Sequence, residues 1–437
     1  MKWTLRAASL ALVGLALVGV ACGDEPAPVP APSSTSPEAR VAYESVASPP
    51  VPAKGRKGQY GQPAAGVRLL AKPLDRFALT LLSLEAAATP EGNVVLSPVS
   101  VHDALTMTLN GARGPTAVEM SESLGIDSIG LARANQVWAD LIAYLHEKKD
   151  AEIRVANSLW LKDEVSFSPA FLSTDDDYFA ADAQLLPADT KAAIAAINGW
   201  VEKRTGGRIT ELVSTLDPET VAVLVNTLYV KAGWSDELFD EKDTRPEPFT
   251  LPSRSKVDVP MMHAVFYDHI VSTPEYDAVP VPANGLVDLT AVVPKGDQTP
   301  ESVVELLQQR GLESLREHTR YLKVDLSLPR FEARFHDSLK ASLQQMGMTR
   351  AFTPGVADFS GITEDMPLWI DDVVHEAVLE VNEKGVEAAA GTAVFMAGAM
   401  PENETVTIRA DRPFVVVLSV GSYPHLPLFT AIVRDPR

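Results

Sequence analysis

Three observations predict an α+β fold. Helix-period and strand-like segments are mixed along the chain without the regular alternation of a βαβ protein. No internal repeat divides it into modules. The run Val221-Ala222-Val223-Leu224-Val225 is too uniformly apolar for a half-exposed strand and reads as one covered on both faces. Asn226 follows it in apolar surroundings and must find hydrogen-bond partners if it is buried.

In chain order, Lys2 and Arg6 introduce an almost unbroken apolar stretch over residues 7–21, too short and wrongly flanked for a good membrane span. It reads as an export signal. It ends in Val18-Gly19-Val20-Ala21-Cys22, which resembles a bacterial lipobox with Gly19 where Leu is more usual. On that reading residues 1–22 are a lipoprotein-type signal and Cys22 becomes the lipidated first residue of an exported protein of the cell envelope, at the outer membrane or cell surface, or else extracellular. A plain signal peptide would leave Cys22 as a free thiol. Cys22 is the one cysteine, so no intramolecular disulfide can form. Residues 23–68, with Pro26, Pro28, Pro30, Pro32 and Pro49-Pro50, read as a Pro/Ala/Ser-rich tether.

Residues 69–437 read as the folded domain. Asp189-Thr190-Lys191 opens a helix with Ile194, Ile197 and Val201 on one stripe, closed by Gly206-Gly207. Leu289 to Val293, Val415 to Val420 and Leu428 to Val433 are predicted strands. Ser338 to Met346 is predicted helical, with Leu339, Leu343 and Met346 aligned. Between the strand-like runs Ala377 to Val381 and Pro413 to Leu418 lies an unusually long connection that begins Glu383-Lys384-Gly385-Val386-Glu387-Ala388-Ala389-Ala390-Gly391-Thr392-Ala393. A loop of that length in a compact domain signals function or disorder. The period-two distribution of its small residues would let it enter a sheet.

Several function classes are excluded or disfavoured. A formal net charge of -20 over 437 residues argues against nucleic acid and against a polybasic grip on lipid, so contact with a membrane is expected only through Cys22. No zinc-protease, nucleophile-elbow, phosphate-loop or dinucleotide motif occurs. The eight histidines have no ligand spacing. Asp175-Asp176-Asp177 lacks the spacing and glycine of a calcium loop and reads as a solvated turn or helix start. No metal, no cofactor and no enzymatic activity are expected.

Segments spread over nearly all of residues 70–437 resemble the serpin family, in order. They are Asn93-Val94-Val95-Leu96-Ser97-Pro98-Val99-Ser100; Asn198-Gly199-Trp200-Val201 with Thr205-Gly206-Gly207-Arg208-Ile209; Leu224-Val225-Asn226-Thr227-Leu228-Tyr229-Val230-Lys231-Ala232-Gly233-Trp234; Leu328-Pro329-Arg330-Phe331; Asp358-Phe359-Ser360-Gly361-Ile362; His375-Glu376-Ala377; and Ala410-Asp411-Arg412-Pro413-Phe414. The resemblance implies three β-sheets with a large central mixed sheet, about eight to nine helices and an exposed reactive-centre loop over about 383–410. It implies a suicide substrate: a serine protease attacks the loop, forms an acyl-enzyme, and is trapped when the cut loop enters the central sheet. The alternative is a non-inhibitory binding or scaffold protein with the same fold. A monomer is expected.

The resemblance also assigns residues. Glu383, Gly385, Val386, Glu387, Ala388, Ala389, Ala390 and Thr392 form the hinge, and the inward set Val386, Ala388, Ala390, Thr392 and Val394 carries no charge. About sixteen positions beyond Glu383 the reactive bond falls at Ala399–Met400, because one residue later Pro401 would follow the bond. Ala399 suits an elastase-like or subtilisin-like protease with a small specificity pocket, and not the carboxylate pocket of trypsin. Asn93, Ser97, Pro98, Ser100, Asn226 and His375 map to a polar shutter under the sheet, and Trp234 to the breach where the hinge enters. A catalytic Ser97–His375 pair has neither a third member nor an oxyanion site.

Overall fold

The computed structural model describes residues 14–18, 65–147, 151–218, 220–235, 238–386, 404–421 and 426–437. Cys22, the tether up to residue 64, Glu387, Ala388, Ala389, Ala390, Thr392, Ala399 and Met400 lie outside the described residues.

Eight α-helices are described: α1 (Arg68–Ala88), α2 (Pro98–Leu109), α3 (Gly114–Ser123), α4 (Leu131–His146), α5 (Pro169–Phe179), α6 (Thr190–Arg204), α7 (Pro300–Arg310) and α8 (Lys340–Gln345). The strands form two hydrogen-bonded sheets. The central one contains β1 (Gly14–Val18), β3 (Glu152–Leu161), β4 (Ala181–Leu185), β5 (Thr220–Gly233), β11 (Phe331–Ser338), β12 (Ile370–Asn382) and β13 (Gly385–Val386). It is mixed, since β3 and β4 are parallel and the other pairs antiparallel. The second contains β2 (Val94–Leu96), β6 (Arg245–Thr250), β7 (Lys256–Ser272), β8 (Tyr276–Pro282), β9 (Val287–Pro294), β10 (Arg320–Pro329), β14 (Thr405–Arg409), β15 (Phe414–Val420) and β16 (Leu426–Val433). Two of the three expected sheets are therefore continuous. The 17-residue β7 pairs with β6 and β10 over most of its length and with β8 at its end, so one strand serves both.

The predicted elements have identifiable local causes. Asp189 caps α6 by accepting from the Ala192 N–H at 2.8 Å. Beyond the helix, Gly206 and Gly207 take φ values of 62° and 82°, which cost a glycine little. Ser338 ends β11 rather than opening α8, so that helix starts two residues later than its apolar stripe suggested.

The central sheet is buried on both faces, as the run at Val221 required. Ala222 and Leu224 of β5 join the main core with α1, α2 and the second sheet. Val223 and Val225 point the other way, into a second core with Ala193, Ile197, Trp200 and Val201 of α6. All twelve residues of α2 are buried, Ser100, His102, Asp103, Thr106 and Thr108 among them. A helix this enclosed must satisfy its polar groups inside the protein, and Ser100 and Asp103 find their partners in the central sheet.

Candidate functional site

Between β5 and β12 the central sheet holds a slot. At its upper end Gly385 and Val386 already run as β13, with Val386 opposite Ala232 on one side and Val381 on the other. At its lower end β1, from the apolar leader, pairs Gly14 with Val225 and with Val374. Both strands run antiparallel to β5 and β12. Between them residues 226–231 of β5 and 375–380 of β12 face each other with no described strand between, and a cavity lies there. Asn226, Thr227, Tyr229, Glu376, Val378 and Val386 are among its lining residues.

Of the residues expected to form the hinge, Glu383, Gly385 and Val386 are described, and they hold the slot's upper mouth. Gly385 has φ +145°, and a Cβ there would sit 2.2 Å from the Ala232 carbonyl oxygen. Glycine is needed both for the backbone angle and for the close approach. Val386 is 2% exposed and joins the main core on the α2 side, so its face is the inward one. Glu383 is buried, accepts from the Thr244 hydroxyl at 2.7 Å, and pairs with Arg330 at 3.5 Å. Trp234, also buried, donates from its indole N–H to the Asn382 carbonyl at 2.7 Å and packs edge-on to Phe239. The indole thus pins the turn from which the hinge departs.

Under the middle of the slot the structure brings Ser97, Ser100, Asn226 and His375 together. The Ser97 N–H donates to His375 Nε2 at 3.0 Å. That bond leaves the proton on Nδ1, which has no partner among the described residues. It also disposes of a Ser–His nucleophile, because the backbone of Ser97 and not its hydroxyl meets the imidazole. The Ser97 hydroxyl instead caps α2, accepting from the Ser100 N–H at 3.4 Å, and Pro98 occupies the first turn. The Ser100 hydroxyl donates to Asn226 Oδ1. Burial, with a smaller contribution from nearby His336, pushes His375 down to about 3, so it is neutral at physiological pH.

Two expectations are corrected here. Asn93 is not part of this cluster. Its Oδ1 accepts from the Arg434 and Asp435 N–H groups at 2.7 and 2.9 Å, and its amide donates to the Asp435 carbonyl at 2.7 Å. It precedes β2, which pairs with β16, and so clamps the chain's end rather than the slot. Asp175 is not solvated. It lies within α5 and is wholly buried, while Asp176 is exposed.

Sequence reasoning missed Asp103 and Asn157. Asp103 Oδ2 accepts from the side-chain amides of Asn157 at 3.0 Å and Asn226 at 2.8 Å. Asn157 stands directly opposite Asn226 across the β3–β5 pair. No helical stripe flags Asp103, since every face of α2 is covered. For Asp175 a signal did exist: Phe171, Asp175 and Phe179 are spaced by four and share one helix face.

The comparisons agree with this architecture. The sequence model of a family described as Serpin (serine protease inhibitor) matches residues 72–436. An uncharacterised serpin-like protein of Thermococcus kodakarensis is 36% identical over 333 residues, 74% of this chain and 76% of the relative. Leukocyte elastase inhibitor A of Rattus norvegicus is 31% identical over 357 residues, 78% of this chain and 92% of the relative. Human thyroxine-binding globulin, solved in complex with thyroxine, superposes with a TM-score of 0.76 at 29% identity, covering 85% of this chain and 100% of that one. The chain belongs to the serpin family, whose members similar to it include protease inhibitors.

Proposed function

We propose that this chain inhibits serine proteases as a suicide substrate, exported and tethered to the cell envelope through Cys22. The observation that carries the reading is the slot, with uncharged Val386 seated at its upper end and, below it, six positions on each edge that no described strand pairs. Carried forward in the same pairing, Glu387 to Thr392 would fill those six positions. Thr392 would arrive between Asn226 and His375, where its hydroxyl could accept the unpartnered Nδ1–H of the imidazole. Residue 393 would take the position Gly14 now holds. Cleavage of the leader before Cys22 would clear that lower stretch for the rest of the loop.

Each inserted residue adds backbone hydrogen bonds at about 0.5–1.5 kcal/mol net, so roughly ten of them strongly favour the inserted form. Before cleavage the loop is held at both ends, by β13 and by β14, and cannot descend. Cutting at Ala399–Met400 frees one end and carries an acylated protease with it. The small side chain of Ala399 fits elastase-like or subtilisin-like pockets.

The test is to mix the processed protein with such a protease and run a denaturing gel. A stable covalent band of the summed mass is expected, with mass spectrometry placing the cut after Ala399. Cleavage of the loop without that band sinks the reading. The likeness to thyroxine-binding globulin, a protein solved in complex with thyroxine, favours a second reading: a serpin-fold carrier or scaffold. Melting separates the two. Loop cleavage should raise the transition of an inhibitor by roughly ten degrees or more, and leave a non-inserting scaffold unchanged.

A further inference from the structure

A buried acid pair lies where α2 and α5 meet behind the central sheet. Asp103 and Asp175 are both 0% exposed. Asp103 Oδ2 is saturated by the Asn157 and Asn226 amides. Asn226 gives its other N–H to Asn157 Oδ1 at 2.7 Å, and Asn157 gives its second to the carbonyl of Phe179, the last residue of α5, at 2.8 Å. The cluster therefore ties α2, β3, β5 and the end of α5 to one carboxylate oxygen. Asp103 Oδ1 and both oxygens of Asp175 have no donor among the described residues.

A carboxylate oxygen buried without a donor is expensive, but a protonated carboxyl supplies its own donor. Two neighbouring carboxyls in a low dielectric cannot both ionise cheaply. Burial pushes Asp103 up to about 7 against the two amide bonds, and pushes Asp175 well above the carboxylate range, with the charge of Asp103 adding to it. Other titratable groups on the packed elements have their own surroundings. On α1, burial and the nearby charge of Glu313 push Asp75 up to about 7, and on α4 burial pushes the Tyr144 hydroxyl up to about 12. On α4, Asp140 accepts from Gln136 and His146 bonds to Val155. On β4, Asp182 pairs with Arg204. On α2, His102 bonds to the Leu124 carbonyl and packs on Phe77 and Trp138. On α5 itself, Asp176 is exposed and Asp177 accepts from Ser173. On β12, His375 meets Ser97.

The geometry points to a carboxyl proton retained by the buried Asp103–Asp175 pair at neutral pH, acting as a latch that keeps α2 and α5 closed behind Asn226 at mid-slot. That the latch bears on loop insertion rests on the function proposed above; the proton itself does not. Unfolded aspartates titrate near about 3.9, below both folded groups. The pair's contribution to stability is therefore complete below about pH 4 and declines as pH rises through 7 and beyond. The native form should open more readily at pH 8.5 than at pH 5.5.

The test uses the full domain labelled with carboxyl-¹³C aspartate, which leaves glutamates such as buried Glu85 silent. The infrared difference between wild type and Asp175→Asn at pH 7 should contain a protonated-carboxyl band. Melting curves at pH 5.5 and 8.5 should fall with pH in the wild type and fall less in Asp175→Asn, since the amide needs no proton. Asp75, His102 and His375 are common to both proteins and cancel. A difference spectrum without the band, or equal pH slopes, overturns the proposal. If Asp175→Asn does not fold, Asp103→Asn provides the same difference. Failure to trap a protease would sink the proposed function and leave the band untouched, whereas absence of the band sinks the pair whatever the trapping shows.

Discussion

On the proposed mechanism, Val386 is the side chain on which insertion turns. It is nearly sealed from solvent on the core side of the slot, beside Ala232 and Val381. Val386→Arg places a charge there at a cost of several kcal/mol, so the variant should be cut at the same bond and released as a substrate. The ratio of covalent complex to cleaved product on a gel reads this directly. His375 gives a pH dependence with a definite sign. Its folded value of about 3 lies below the unfolded value near about 6.5, so its stabilisation is complete above pH 6.5 and lost progressively as pH falls from 6.5 towards 3. The loss is on the order of 4 kcal/mol at the acid end. Melting of His375→Asn should be flatter than wild type over that range. Residue type alone did not place these side chains equally well. Asn226 and His375 sit in apolar strands, where a polar residue demands a partner. Asp175 sits in a run of three acids that looks solvated until the spacing of Phe171 and Phe179 is weighed. Asn93, in a matching motif, serves a different neighbour because β2 leads away from the slot to β16.

At the scale of elements, α2 is the beam under the slot, and its two serines do separable jobs. Ser97→Ala removes a cap but keeps the N–H that bonds to His375, so a loss of about 1 kcal/mol is expected. Ser100→Ala strips the buried Asn226 Oδ1 of its donor and should cost more, about 1–3 kcal/mol. Urea unfolding of the two variants checks the order. The hinge turn is an element in its own right. Trp234, Thr244 and Arg330 grip residues 382–383 from outside, while Gly385 threads the chain against Ala232. Glycine at 385 was legible in the sequence as part of a small-residue run, but its backbone angle and its contact with Ala232 were not, because both depend on a strand far away in sequence.

Over the whole molecule, two clamps act independently. One closes the slot; the other fastens the C-terminal strand. Arg434, 2% exposed, donates to the Thr89 and Ala86 carbonyls and pairs with Glu301, beside the Asn93 clamp on residues 434–435. Asn93→Ala should therefore lower the melting transition of intact and cleaved protein alike, by about 1–3 kcal/mol, and leave the gain on loop cleavage unchanged. A smaller gain on cleavage would return Asn93 to the slot. Among the described residues, the sheet leaves a gap between β5 and β12. β3 and β11 occupy the outer edges of β5 and β12, and α6 seals one face while α2 seals the other.

The sequence by itself determined the α+β class, the doubly covered strand at Val221 and the need of Asn226 for partners. Each follows from local periodicity or from the cost of burying a polar group, and neither needs knowledge of what lies opposite. The tertiary structure alone decided that Asp103 and Asp175 are buried on neighbouring helices, that Asn93 binds residues 434–435, and that no described strand lies between β5 and β12 over six residues. Those facts depend on which strands become neighbours across many intervening residues, and a pattern with a period of two or 3.6 residues carries no record of that pairing.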